Sequence, residues 1–388
     1  MPPPARRRGV RRVAVGLLAV ALAAACAAPV WVLRAAHRGN TVGVVYPVNG
    51  PLGERGVAAP SIADSGPPLL FVDQERVPGP GLLAQAEVSG AVRLFQYDQP
   101  APGTALQFAW VLRNTGARPV AVTVTDAAAA PPSRLYLPLA ASVQRAFLTG
   151  SAPRAFVVGP GQIHILHDPA TAAAGAGALA FSVYDLRLSG SLQVLNVAAD
   201  DLAAMGAASL PTVYPGGGGI GALFPHDTRT ATVTFAGGRD ALRIAAHDPQ
   251  DPAMVARDEV TGLPNTDEGN YGMTYRVRIV FPASRQRSAN LWVTAGGCDL
   301  RADFRMGSGP LAGKVLQVPA DGSLPHGVLG AALATVALSR TRPTVLAFSV
   351  LPPAASCTPI TVREEPLRAS SLSVQLDQSP LGRWLESR

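Results

Sequence analysis

The clearest periodicity in the chain has a repeat of two. Met273, Tyr275, Val277, Ile279 and Phe281 alternate with Thr274, Arg276 and Arg278, which predicts a strand with one buried and one wet face. Leu106, Phe108, Trp110 and Leu112 alternate in the same way with Gln107, Ala109, Val111 and Arg113. Asn114-Thr115-Gly116 then leads into Val120–Thr125, which predicts a hairpin. Trp110 falls on the apolar stripe and is expected in the core. Strand-like runs follow at Ala155–Val158, Gln162–Leu166, Leu179–Leu188 and Leu192–Val197, then at Thr230–Phe235, Leu291–Thr294, Thr344–Val350, Ile360–Arg363 and Leu372–Leu376. Ser142–Leu148 reads as a short helix and Leu381–Leu385 as one helical turn. Gly327–Leu338 is apolar but too short to cross a bilayer, so it reads as buried core.

Many short strands, Gly/Pro turns and few helices predict a mainly β protein of one or two β-sandwich domains. Pro215 and Gly216–Gly219 mark an internal boundary. The expected plan is an Arg-rich tail (1–12), a membrane segment (13–33), a stalk (34–84) with an early strand at Leu69–Val72, and a first β-region (85–199). A linker (200–223), a second β-region (224–377) and a tail (378–388) complete it.

The membrane segment changes the picture most. Val13 to Leu33 is 21 residues without a charge, and as a helix it would rise about 30 Å, the thickness of the hydrocarbon core. Five arginines precede it and two follow, which predicts a cytoplasmic N-terminus and an extracytoplasmic body. Three forms of export are open: an uncleaved signal anchor, a signal peptide cleaved after Ala23-Ala24-Ala25, and a lipoprotein with Cys26 as the lipidation site.

Charge follows the same division. The 33 basic residues against 26 acidic ones give a net +7, and seven arginines lie in residues 1–38 with no acid. Removing those seven leaves a neutral body, so the basic isoelectric point carries no footprint for nucleic acid. The partners expected are the lipid bilayer and a cell-wall component or envelope protein. Two cysteines lie in the body, Cys298 and Cys357, and outside the cytoplasm such a pair is expected to form a disulfide.

Local motifs for catalysis are weak. Gly216–Gly221 matches a dinucleotide-binding string but is flanked by Pro215 and Pro225, without the strand and helix that such a site needs. Gly309–Val315 is one residue short of a phosphate-binding loop and has Val315 where magnesium requires a hydroxyl. His164 and His167, next to Asp168, are the one close histidine pair; on a strand their side chains would point to opposite faces. Asp248, Asp251, Asp258 and Asp267 lie in an acidic loop with Glu259 and Glu268, and calcium is the one cofactor candidate there, against a default of none. No serine-hydrolase or zinc motif occurs, although a triad assembled from distant residues would leave no local mark.

Three stretches together resemble a family: Val92-Arg93-Leu94-Phe95, Phe224-Pro225-His226-Asp227-Thr228-Arg229 and Gly269-Asn270-Tyr271-Gly272-Met273-Thr274-Tyr275. They look like exported proteins of Gram-positive bacteria, some labelled copper amine oxidase-like, over about residues 90–365. The resemblance implies an envelope location and a β-rich body. Amine oxidase chemistry does not follow: that family converts a Tyr in an Asn-Tyr-Asp/Glu context and uses a His-x-His pair, whereas Tyr271 is followed by Gly272 and no His-x-His exists. Gly269–Gly272 reads as a tight turn feeding the next strand. The expectation is a non-catalytic, membrane-anchored binding or structural module. The rivals are an exported hydrolase and a calcium-dependent adhesion module.

Overall fold

The computed structural model describes residues 56–364, apart from 217–218, 237–239 and 327–328, together with the backbone of one short strand at 45–47. The membrane segment Val13–Leu33, Cys26, the Arg-rich tail, Leu372–Leu376 and the C-terminal tail lie outside the described residues. Among the described residues no helix is long and apolar enough to cross a membrane.

The first part of the chain forms β1 (Val45–Pro47), β2 (Ser61–Ser65), β3 (Leu69–Val77), β4 (Gly81–Pro100), β5 (Gln107–Arg113), β6 (Val120–Ser133), helix α1 (Tyr136–Thr149), β7 (Arg154–Val158), β8 (Ile163–Ile165), β9 (Leu179–Ala199) and β10 (Gly219–Phe224). The second part forms β11 (Thr228–Thr234), β12 (Ala241–Ile244), β13 (Met254–Arg257), β14 (Pro264–Asp267), β15 (Thr274–Phe281), β16 (Ser288–Ala295), β17 (Ala302–Met306), β18 (Val315–Val318), β19 (Leu329–Ala337), β20 (Thr344–Val350) and β21 (Ile360–Glu364). The protein is mainly β, as the periodicity predicts.

The long antiparallel pair β4 and β9 organises the first part. It bends near the middle, where Ser89 alone faces Ser189, Gly190 and Ser191 and the register slips between Val88 and Gly90. Gly90 adopts φ +72° there, a backbone state that L-residues avoid. The bend divides one curled sheet into two leaves. One leaf carries β10, β3, the C-terminal half of β4, the N-terminal half of β9, β6 and β7. The other carries the remaining halves of β4 and β9 with β5 and β8. Leu70, Val72 and Leu94 of the first leaf share a core with Phe108, Trp110 and Leu112 of the second.

Trp110 is thus core, but the expected hairpin does not form. β5 pairs with β9 and β8, and β6 pairs with β9 and β7. Asn114 accounts for the change of leaf. Its Oδ1 accepts from Gly116 N, while its Nδ2 donates to Arg118 O and to Val158 O. The turn is real, but it sends the chain across the gap instead of back along β5.

The remaining strands make two further sheets, ordered β1-β19-β16-β21-β12 and β18-β17-β20-β15-β11-β2, with β13-β14 as a separate ribbon. The pairing of β11 with β15 is parallel, so β11 joins it through a crossover and not a turn. The 273–281 alternation survives: Tyr275, Val277, Ile279 and Phe281 are buried, Arg276 and Arg278 exposed.

The expected division into stalk, two β-regions and a free linker needs correction where the structure describes it. β2, inside the expected stalk, is an edge strand of the C-terminal sheet through β11. β3, also inside it, lies between β10 and β4 in the curled sheet. The 200–223 segment ends in β10, which pairs along its whole length with β3 from Leu69 to Gln74, and Leu82 N donates to Val213 O on its way. Leu69-Leu70-Phe71-Val72 is a continuous apolar run because both faces of β3 are covered. Leu70 and Val72 face the inner core. Leu69 and Phe71 join Phe95, Phe181 and Phe224 in the core of the C-terminal sheets. Phe71 and Phe95 have ring centroids 5.2 Å apart, and Phe95 and Phe181 are edge-on at 5.1 Å.

Helix α1 is longer than the expected 142–148. Its first turn accommodates Pro138, whose missing N–H has no intrahelical partner at that position. Leu139, Ala140, Val143, Phe147 and Leu148 are buried in the core shared with the C-terminal sheets, the stripe of an amphipathic helix. Gln144 Nε2 donates to Pro352 O at 2.9 Å, and Arg145 Nε meets Asp303 Oδ1 at 2.8 Å.

Candidate functional site

The three stretches that carry the family resemblance meet in space. Arg93 projects from β4 with only 5% of its surface exposed. Its Nε and Nη2 hold the Asp185 carboxylate on β9 at 2.7 and 3.0 Å. Its Nη1 donates to Asp227 O, Gly272 O and Thr274 Oγ1, and its Nη2 lies 3.2 Å from Asp227 Oδ2. Asp227 follows β10, and Gly272 and Thr274 open β15. One guanidinium therefore joins the curled sheet to the segment that enters the C-terminal sheet. Its cationic form is reinforced by Asp185, Asp227 and Asp126 against the cost of burial. Burial in turn raises Asp227 above the usual carboxylate range, with Arg93 opposing.

The turns around this point are built for close approach. Gly272 has φ +76°, and a Cβ there would meet the Phe95 ring at 3.0 Å. A Cβ on Gly66 would lie 2.1 Å from Asp227 Oδ1. Gly269–Gly272 forms the expected tight turn, with Asn270 at φ 46°, a conformation Asn tolerates better than most residues.

A second arginine sits two residues along from Asp227. Arg229 Nε and Nη2 each lie 2.7 Å from Asp64 of β2, and Nη1 lies 2.7 Å from Asp251 Oδ1. Asp251 Oδ2 accepts from Ala245 N. The Tyr275 hydroxyl donates to Asp251 and accepts from Asn270 Nδ2 at 2.8 Å. Burial first, then the Asp251 charge, pushes the Tyr275 phenol well above its ordinary range. Tyr271 donates to Ser356 O at 2.9 Å, beside the Cys298–Cys357 disulfide, which the structure contains with Cα atoms 5.2 Å apart.

The four aspartates considered for calcium do not converge. Asp251 is held by Arg229. Asp248 pairs with Arg243 at 3.2 Å and accepts from Gln250 N and Asp251 N. Asp258 Oδ1 accepts from Val260 N and Thr261 N. Asp267 is fully buried. Burial pushes its carboxyl up to about 8, with the amides of Tyr271 and Gly269 opposing and the Asp73 charge adding to the rise. Asp73 itself is pushed up to about 7, and Asp98 well above the usual range, chiefly by burial. Among the described residues no group of three or more His, Cys, Asp or Glu is placed to hold a metal ion.

The histidine pair departs from expectation. His164 and His167 line one pocket instead of opposite faces, because β8 stops at Ile165 and His167 N turns back to Ile165 O at 3.0 Å. Period-2 logic ends with the strand. Arg154 and Phe156 of β7 complete the wall, and the pocket encloses about 270 Å³. Asp168 is not among its lining residues. Its Oδ1 accepts from Ala170 N and Thr171 N, and its Oδ2 accepts from the Tyr184 hydroxyl. Sequence reasoning missed Arg154 and Phe156. The signal available was their i, i+2 relation to Val158 on one strand.

The described parts of the two glycine strings lie in a strand and in a turn between strands. Gly219–Gly221 lies in β10, and Gly309–Gly313 forms the turn between β17 and β18, where Gly313 N donates to Met306 O. Among the described residues no histidine is hydrogen-bonded to a serine; His326 Nδ1 lies 3.3 Å from Ala295 O, and His247 approaches Glu268 at 3.9 Å.

Compared with known proteins, the chain matches no family model and has no similar curated protein.

Proposed function

We propose that this is a membrane-anchored extracytoplasmic protein whose body is a rigid pair of fused β-sandwiches, and that it acts by binding or scaffolding and not by catalysis. One observation carries this reading. The two arginines of the three distinctive stretches are paired inside the protein: Arg93 with Asp185 and Asp227, Arg229 with Asp64 and Asp251. Charges paired inside the protein join segments; they are not presented to a substrate. The Cys298–Cys357 bond supports an oxidising compartment. The uncharged run Val13–Leu33 and the arginines beside it support the orientation. A cell-wall component or envelope protein is the partner class that such a placement makes available.

The test is thiol labelling and protease treatment of intact cells, followed by fractionation. The expected result is a chain in the membrane fraction, degraded from outside, with Cys298 and Cys357 labelled only after reduction. A soluble cytosolic chain with both thiols free would overturn the proposal.

A further inference from the structure

The pocket between β7 and β8 differs from every other charged cluster described above, because its polar groups face one another without a protein partner. On β7, Arg154 and Phe156 share a face with Val158, which is buried in the core of the curled sheet. Ala155 and Val157 face solvent. On β8, His164 lies opposite Leu112 of β5, a residue of that same core. Paired residues share a face, so His164 also points toward the gap between the two leaves. The Phe156 and His164 rings stack there, with centroids 3.7 Å apart and planes 19° apart. Ile165 and Leu166 complete the lining.

Among the described residues, the side chains of Arg154, His164 and His167 make no hydrogen bond and no ion pair. The Arg154 guanidinium lies 6.0 Å from the Tyr184 ring, and its charge lowers the Asp168 pKa against the rise that burial causes. The nearest acid, Asp168, has both oxygens committed to Ala170, Thr171 and Tyr184. Burial, then His167, then Arg154 lower the His164 pKa, so the imidazole is a neutral donor near pH 7. A cation is a poor occupant beside a permanent guanidinium. A carboxylate suits the planar fork of donors that arginine presents. The stacked rings and Leu166, two residues along from His164, suit a flat or small apolar body. A space of about 270 Å³ is near the lower end of ligand pockets, which limits the occupant to a small molecule or the end of a chain.

We propose that the pocket between β7 and β8 binds a small carboxylate carrying a flat apolar group, with Arg154 holding the carboxylate and Phe156 and Leu166 receiving the body. This deepens the binding role argued above, and it can fail while the localisation stands.

The experiment is titration calorimetry on the full-length protein in detergent micelles. The probes are benzoate, its neutral counterpart benzamide, N-acetylphenylalanine as the mimic of a peptide end, inorganic phosphate and zinc. Benzoate or N-acetylphenylalanine is expected to bind with Kd on the order of 1 mM or tighter; the tighter of the two identifies a free acid or a chain terminus as the natural form. Benzamide is expected to bind at least about tenfold more weakly. Arg154→Gln is expected to weaken the carboxylates by about tenfold or more with the melting temperature unchanged. That variant also controls for partition into micelles. Phe156→Leu should reduce benzoate binding and leave any phosphate binding as it was. Equal binding of benzoate and benzamide, or carboxylate binding indifferent to Arg154→Gln, would overturn the proposal. So would phosphate binding as tight as benzoate, or zinc binding lost in His164→Gln with no carboxylate binding.

Discussion

Arg93 and Arg154 lie on strands of the same curled sheet, each with its guanidinium over an aromatic ring: Phe147 at 5.0 Å for one, Tyr184 at 6.0 Å for the other. Their surroundings have little else in common. Arg93 is buried and joins Asp185, Asp227, Gly272 and Thr274. Arg154 is exposed at the rim of a pocket, and its side chain makes no hydrogen bond among the described residues. The difference follows from position. β4 is central in its leaf and covered on both faces, so a charge there must be satisfied from within or remain unpaired in a low dielectric. β7 ends its leaf, so a charge there is satisfied by water or by a ligand. Buried Arg93 holds segments together, while the side chain of Arg154, at an edge, joins none.

The contrast breaks most readily at Arg93. Arg93→Met keeps the aliphatic stem and strands two aspartates, and is expected to cost about 3–5 kcal/mol of unfolding free energy, the usual penalty for removing one member of a buried ion pair. Denaturant melts would measure it. Next is the disulfide. Replacing Cys298 and Cys357 with serine is expected to cost about 2–4 kcal/mol, and reductant should lower the stability of the wild-type chain and leave the variant unchanged.

The pH dependence sharpens the comparison from the acid side. Asp267 and Asp73 have folded-state values of about 8 and about 7 against an ordinary 3.8. The folded chain therefore holds protons that the unfolded chain releases. Their contribution is fully present below the ordinary carboxylate range and declines as the pH rises from about 4 to about 8. Asp267→Asn removes that ionisation. It is expected to flatten the decline and to raise stability at about pH 8 by roughly 1–3 kcal/mol, measured by melts across the pH series. The smallest effect on folding is expected at the other arginine: Arg154→Gln should change stability by less than about 0.5 kcal/mol while weakening carboxylate binding.

Strands with one wet face were legible in the sequence. Tyr275–Phe281 is where its alternation puts it, and Gly269–Gly272 turns as its composition demands; the Trp110 stripe is core, but Ala109 and Val111 on the other face of β5 are buried as well. Partners were not legible. Alternation says that a strand is half-buried but not which edge it meets, so β5 was assigned to its neighbour in sequence, β6, when its partners are β9 and β8. Leu69–Val72 carried a readable sign, four apolar residues in succession, which means cover on both faces. Their place among Gly and Pro hid that sign and made them part of a stalk. Pro138 hid the first turn of α1 in the same way. The Arg93 network joins residues up to 181 positions apart, and no local pattern records such a contact. The histidine pair was visible, but its pocket was not, because the two side chains share a wall only after β8 has ended.

The most direct test places one tryptophan on each side of the Arg93 junction. Trp110 reports on the curled sheet and Trp292, on β16, reports on the C-terminal sheets. With the other tryptophans replaced by phenylalanine, denaturant unfolding of the wild type and of Arg93→Met is followed at each reporter. If Arg93 welds the two parts, both reporters should unfold together, and the variant should lose about 3–5 kcal/mol at both. Two separate transitions in the wild type, or a loss below about 1 kcal/mol confined to one reporter, would contradict it.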